Sequence, residues 1–319
     1  MDEIIIKEYS PELREKCVAL LKETFPGSSD EKTFQWRYES LRISKPLIIV
    51  AVDKDDVVSF VSWIPWNFYF EGNLLSGYQA CEGATKKEYR NKGLFTKMFL
   101  LAEELSKQRG VDFYFGFPSK LSYRPVYRAG YFPVAKFNFY KKILIPSGSK
   151  DRIIPVSQSI FDLNTHFIKE SFNITPNFNS DYFTWRYIEN PADYDTILFE
   201  ENNNKALFII RTNKNQKKKF GIIPRKVMLV DFQTTAFYDV FINNAFNFLF
   251  ETYRNKASYI TTFFNPFTMR GTLLNNIFRN RAKKIESRIL CIKPLNFTNQ
   301  EILFNSRFWD IMPNTVDYY

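Results

Sequence analysis

The sequence predicts an α/β (α+β) protein whose mixed, mostly antiparallel sheet is flanked by helices and recurs along the chain. Three observations carry that reading. Residues 76–131 read as strand, glycine-containing loop, helix and strand. The segments before them complete the order β-α-α-β-β-β-α-β. The tripeptide Trp-Arg-Tyr occurs at 36–38 and again at 185–187, each time ahead of a strand, a polar turn and another strand.

Taken in order, residues 4–9 form a first strand. Ser10 suits an N-cap and Pro11 a first helical position. The helix over 11–25 lines up Leu13, Cys17, Leu20 and Leu21 on one face, and Pro26-Gly27 ends it. A second helix over 30–41 carries Trp36, Arg37 and Tyr38. A buried strand follows at 47–52, a turn at 53–56, and a long strand at 57–70 in which Pro65 signals a bulge or kink. Glu71-Gly72-Asn73 turns the chain back into a strand at 75–85. Residues 86–92 are a basic loop ending at Gly93. Leu94, Phe95, Met98, Phe99, Leu101, Ala102 and Leu105 then mark a helical face that Gly110 stops. Residues 111–117 (VDFYFGF) read as a buried strand and 132–145 as another. Pro146 to Lys150 marks a linker, so the expected division is 1–145, a linker at 146–156, and 157–319.

The second half repeats the first in outline. Strands at 195–200 and 206–212 follow the second Trp-Arg-Tyr, and 227–232, 235–253 and 259–264 read as strand, helix and strand. Between that strand and helix stands Asp231-Phe232-Gln233-Thr234-Thr235, with no glycine and no basic cluster. The second copy has the frame without the loop.

Composition narrows the function. The 319 residues include 34 Phe and 18 Tyr, enough for a large core and lined pockets. Cys17, Cys81 and Cys291 lie far apart, without metal-ligand spacing, and the single histidine, His166, falls in an expected amphipathic helix. No metal site and no histidine-based triad is expected. The N-terminus lacks a signal-peptide pattern and no apolar run approaches the ~20 residues of a membrane span, so a cytoplasmic protein without membrane partners is expected. A net charge of +10 suits nucleic acid or phosphate-bearing small ligands alike. No RNA-binding motif favours the former, so no nucleic-acid partner is expected. Lys217-Lys218-Lys219 and Lys283-Lys284 read as solvated loop faces.

The chemistry lies where loop meets helix. The first four amides of a helix have no internal partner and share the positive end of its dipole. A glycine bend there aims N–H groups at a phosphate. Lys86, Lys87, Arg90 and Lys92 add charge at the same place, while neither a P-loop nor a dinucleotide glycine fingerprint occurs. Arg90-Asn91-Lys92-Gly93-Leu94-Phe95 resembles the Arg/Gln-x-x-Gly-x-Gly/Ala signature of the GNAT acetyltransferase superfamily, with Phe95 at a normally small position. The element order over 1–145 and the ending Tyr127-x-x-Gly130-Tyr131 share the resemblance. The double arrangement is similar to Eis-like acetyltransferases and to FemAB-type peptidyltransferases. The chain is too short for the third domain usual in the former.

The resemblance implies tandem GNAT-like domains, the second degenerate, and direct acetyl transfer from acetyl-CoA to a primary amine of a small molecule, such as an amino sugar or a nucleotide-linked amino sugar. It implies a pyrophosphate grip from the amides of Asn91, Lys92, Gly93, Leu94 and Phe95 with the Arg90 and Lys92 side chains assisting, and a pantetheine edge at Gly83, Ala84 and Thr85. Tyr127 is the implied general acid, with Tyr123 as the other candidate. Glu82, a carboxylate within an apolar strand, is the candidate base or else a surface-facing residue. The Eis resemblance instead implies the terminal carboxylate, here at Tyr319. Trp36, Arg37 and Tyr38 read as scaffold. Two other readings remain open: a FemAB-like aminoacyl transferase using charged tRNA, and a non-catalytic GNAT-like binding protein.

Overall fold

The computed structural model describes residues 4–316 except 28, 121, 147–166, 169–171, 213–225 and 280–286. Most of the expected linker, His166, both lysine runs and Tyr319 lie outside the described residues.

The chain opens with β1 (Ile5–Glu8), a 3-10 turn at Pro11–Leu13 and α1 (Arg14–Thr24). Asp30 caps α2 (Glu31–Phe34) by accepting from the Thr33 amide at 2.8 Å. The helix expected to reach residue 41 instead widens at once into a π turn, Gln35–Glu39. An α-helix would spread three successive side chains over about 200° of its surface, yet Trp36, Arg37 and Tyr38 are all buried here. Next come β2 (Leu47–Asp53), β3 (Asp56–Phe70), β4 (Asn73–Thr85), α3 (Leu94–Gln108), β5 (Phe113–Gly116), the short α4 (Tyr123–Arg128) and β6 (Phe132–Ile143). After β7 (Thr175–Pro176), Asn179 caps α5 (Ser180–Phe183), and a second π turn covers Thr184–Ile188. The remaining elements are β8 (Tyr194–Glu201), β9 (Asn204–Thr212), β10 (Lys226–Thr234), α6 (Asp239–Tyr253), β11 (Tyr259–Phe263), α7 (Met269–Arg279), β12 (Ser287–Pro294) and α8 (Gln300–Phe304).

The chain forms two compact units. The first comprises Met1–Ala135, Asn177–Pro191 and Ile289–Ser306, and the second Lys136–Pro176, Ala192–Arg288 and Arg307–Tyr319. The units therefore differ from two consecutive domains. The second Trp-Arg-Tyr and a late C-terminal segment belong with the first unit.

In the first unit the strands run β1-β2-β3-β4-β5-β12, antiparallel throughout except for the parallel β4–β5 pair. Met98, Phe99 and Ala102 of α3 pack on Ile49, Val61, Trp63 and Tyr114 of the sheet. In the second unit β6-β11-β10-β9-β8 is antiparallel except for β10–β11. Phe241, Ala245, Phe246 and Leu249 of α6 pack on Phe208, Leu229 and Phe232.

Trp36 and Trp185, 149 residues apart, stack with ring centroids 5.5 Å apart and 13° between planes. Each indole N–H donates to the other's carbonyl, at 2.7 and 3.1 Å. The capping residues Asp30 and Asn179 and the two π turns stand at that same separation. So do Gly77–Gln79 and Lys226–Met228, the segments that pair in parallel with β5 and with β11. Helices α3 and α6 are each 15 residues long. The loop entering the helix differs: residues 86–93 before α3, but only 235–238 before α6.

Candidate functional site

Parallel pairing of β4 with β5 stops at Gln79–Phe115, while β4 runs on to Thr85 paired with β3. The segment Gly83–Thr85 therefore leaves an edge where the two parallel strands part. The phosphate-loop candidates adjoin it. Arg90 Nε donates to the Thr85 carbonyl at 3.0 Å. The Phe95 ring lies 3.8 Å from where a Gly83 Cβ would stand, so the end of β4 and the first turn of α3 meet.

Asn91 (φ 63°) and Gly93 (φ 75°) both take left-handed conformations, and Gly93 is the residue before α3. This double bend reverses the chain onto the helix axis. Among the described residues, the amides of Asn91, Lys92, Gly93, Leu94 and Phe95 donate to no protein group. Five successive N–H groups at the positive end of a 15-residue helix make a candidate anion cradle. Lys87, Arg90 and Lys92 are exposed beside it. Lys86 pairs with Asp56, and Lys92 Nζ sits 4.7 Å from the centre of the Tyr89 ring. Tyr89 is fixed in turn by donating to Asp53 at 2.6 Å. Phe95 does not fill the cradle: its ring packs on Phe99, centroids 4.1 Å apart.

Tyr127 lies on α4, 52% exposed, between the rings of Tyr123 (centroids 6.3 Å) and Phe132 (6.0 Å). Tyr123 packs against the α3 core instead. The turn after α4 uses Gly130 at φ 87°, and Tyr131 beyond it is fully buried, accepting from Trp63 Nε1 at 3.1 Å. Lys293 of β12 donates to the Ala129 carbonyl at 2.8 Å and pairs with Glu103 of α3, so it ties the end of α4 to α3. Nothing local in the sequence signalled Lys293 or β12.

Glu82 is placed differently from the loop residues. Its side chain turns to the α1–α2 side, where Arg37 Nη1 stands 2.7 Å from Oε1, Ser29 donates to Oε1 at 2.7 Å, and Tyr38 donates to Oε2 at 2.7 Å. The side chain is 2% exposed, so it is not the surface-facing residue that was one of its two expected placements. Burial, with the Glu82 charge beside it, pushes the Tyr38 phenol well above its ordinary value, so Tyr38 stays a donor. Glu82, Ser29 and Thr33 line a narrow crevice with Val18, Leu21 and Phe34. The bulge expected in β3 at Pro65 is not there, since Pro65 pairs in register with Tyr78; the bulge lies instead in β4, where Cys81 and Glu82 together oppose Ser62.

Burial pushes the Cys17 thiol up to about 12 and Cys291 to about 11, so neither supplies a thiolate at neutral pH. Among the described residues no cluster of three or more His, Cys, Asp or Glu side chains is placed to hold a metal ion, and no helix is long and apolar enough to cross a membrane.

Residues 6–133 match the acetyltransferase (GNAT) domain family. This stretch is a GNAT-type acyltransferase domain, and it spans the β4 edge, the cradle and α4. Beyond it, likeness to solved structures shows the fold. A probable N-acyltransferase from Enterococcus faecalis superposes with a TM-score of 0.66 at 16% identity, covering 93% of this chain and 74% of that one. Eis1 from Mycobacterium abscessus gives 0.55 at 10% identity, covering 92% and 74%. N-myristoyltransferase from Saccharomyces cerevisiae with bound myristoyl-CoA gives 0.54 at 11% identity, covering 92% and 79%. No curated protein matches the sequence.

Proposed function

We propose that this chain, through its GNAT domain at residues 6–133, transfers an acetyl group from acetyl-CoA directly to a primary amine of a small molecule. The observation that carries the reading is the cradle: five unpartnered amides, two left-handed residues and three exposed cations where the parallel strands β4 and β5 part. Such a cradle fits a pyrophosphate, whose charge the helix dipole and Arg90 favour. The edge of Gly83, Ala84 and Thr85 offers backbone partners to an extended amide-bearing arm such as pantetheine.

In this account the acceptor nitrogen, once it has lost its proton to solvent water, attacks the thioester carbonyl. A C–N bond forms, the C–S bond breaks, and the thiolate leaves with a proton from Tyr127. The second proton, which the nitrogen sheds on becoming an amide, passes to solvent water, from which exposed Tyr127 recovers the one it gave. Proximity supplies much of the rate, because cradle and edge hold one reactant while the acceptor is brought to it. The acceptor class we infer is an amino sugar, free or nucleotide-linked, which matches the exposed rings of Tyr127 and Phe132 beside the exposed cations Arg124 and Arg128. An assay for thiol release from acetyl-CoA with a panel of amino sugars, nucleotide-linked amino sugars and polyamines tests this. Turnover with a sugar amine is expected, and turnover with polyamines alone would overturn the acceptor class.

A further inference from the structure

Glu82 sits where β4 departs from regular pairing. Val61 faces Gly83 and Trp63 faces Ala80, so Ser62 alone opposes both Cys81 and Glu82, and β4 carries one extra residue. Ser62 fills the gap: its hydroxyl accepts from the Glu82 amide at 3.3 Å and shares a hydrogen bond with Tyr38 at 2.8 Å. The Glu82 carboxylate closes the circuit through Arg37, Ser29 and Tyr38. Three donors therefore engage this buried carboxylate, two on Oε1 and one on Oε2. Parallel pairing with β5 ends three residues earlier, and Gly83–Thr85 lead on to the cradle.

The second unit repeats the feature by itself. In β10, Leu229 faces Ile210 and Asp231 faces Ile209, so Val230 is the extra residue. Asp231 follows Glu82 by the separation that relates Trp185 to Trp36. It too is buried, 3.5 Å from Arg270 Nη1, and accepts from Asn314 Nδ2 at 2.9 Å and from the Phe232 amide at 2.8 Å. Its arginine comes from α7, however, not from the π turn that supplies Arg37. The chain then enters α6 through Thr235, Ala236, Phe237 and Tyr238, without glycine or cation. The acid persists where no phosphate cradle exists, and its arginine is supplied from a new element. What the two acids share is the bulge, not a proton to move.

We propose that Glu82 is a positioning residue: its ion pair with Arg37 holds the β4 bulge, and the bulge aims the Gly83–Thr85 edge at the acyl-CoA. The identity of that ligand rests on the function proposed above, whereas the holding of the bulge does not. Four variants test it, Glu82→Gln, Arg37→Met, their double and Arg37→Lys, read by hydrogen exchange over residues 80–85, by KM and kcat, and by the pH–rate profile. Faster exchange at 80–85 is expected in Glu82→Gln and in Arg37→Met, with the double variant no worse than either single, as for two residues acting as one unit. KM for acetyl-CoA should rise roughly tenfold or more, the scale on which a small misplacement of a binding edge acts. The acidic limb of the profile should remain, and Arg37→Lys should restore part of the loss.

A base would behave otherwise. Glu82→Gln would then lose kcat by roughly a hundredfold or more at unchanged KM, with the acidic limb abolished and Arg37→Met nearly silent. That pattern, or unchanged exchange at 80–85, overturns the proposal. Should Glu82→Gln fail to fold, Ser29→Ala removes one donor and is expected to speed exchange in the same segment; no change there would equally overturn it. A wild-type protein that binds no acetyl-CoA would overturn the functional reading alone, and the exchange measurement would still decide the bulge.

Discussion

At the scale of single residues, Gly93 and Tyr127 carry the sharpest expectations. A Cβ at Gly93 would meet nothing within 4 Å, so the cost of a side chain there is that of the left-handed backbone, about 1–2 kcal/mol for an L-residue. Gly93→Val should keep the fold by circular dichroism but lose acetyl-CoA affinity more than about tenfold, because the amides after it are re-aimed. Unchanged affinity would remove these amides from the ligand's grip. Tyr127→Phe should lower kcat by roughly a hundredfold with little change in acetyl-CoA affinity, the range of a general acid. The same loss in Tyr123→Phe, with Tyr127→Phe silent, would move the role. Gly93 was legible because a left-handed bend before a helix is a local demand written in local residues. The partners of Glu82 were not, since Ser29 and Tyr38 stand 53 and 44 positions away and only the folded sheet brings them together.

At the scale of elements, the two π turns and β12 tie distant parts of the chain to the catalytic unit. Trp185→Ala removes a fully buried ring and one of two reciprocal hydrogen bonds, a loss of about 3–5 kcal/mol. Trp185→Phe keeps a ring and loses the N–H bond, about 1 kcal/mol. Equal losses by chemical denaturation would show that the stack itself contributes nothing. The repeat of Trp-Arg-Tyr was visible in the sequence, but the mutual stacking of its two copies was not, because periodicity does not report which buried faces meet.

Strand β12 was invisible for a related reason: its partner is β5, with Cys291 facing Gly116 from the other end of the chain. Its Lys293 makes a pH prediction. Burial pushes the Glu103 carboxyl up, but hydrogen bonds from Lys107 and Lys293 outweigh it and hold the group below its ordinary 4.5. The stabilisation is therefore complete above that value and is lost as pH falls through the lower folded-state value. The difference in Tm between wild type and Glu103→Gln should be constant near neutrality and shrink below about pH 4.5. A difference that persists undiminished in acid would show that the carboxylate charge is not what holds α4.

At the scale of the whole molecule, the same frame occurs with a cradle and without one. Eight residues (86–93) join β4 to α3, and four (235–238) join β10 to α6; the difference is the length of chain that makes the double left-handed bend. We infer a duplication in which the second copy has lost its phosphate loop and kept its bulge, so one molecule of acetyl-CoA should bind per chain. The β-α-α-β-β-β-α-β order from β1 to β5 was readable from hydrophobic periodicity and turn residues, whereas α4, α7, β12 and α8 were not. Membership of the two units was not, because 177–191 and 289–306 leave their sequence neighbours to pack with the first unit.

The most direct test of the central claim is thermal unfolding of wild type and Gly93→Val, each with and without acetyl-CoA. Acetyl-CoA at about 100 times its Kd stabilises a folded protein by about 2.7 kcal/mol, an easily measured shift in Tm. A shift in wild type that Gly93→Val loses is the predicted result. No shift in wild type, or the same shift in both proteins, would contradict the assignment of the cradle.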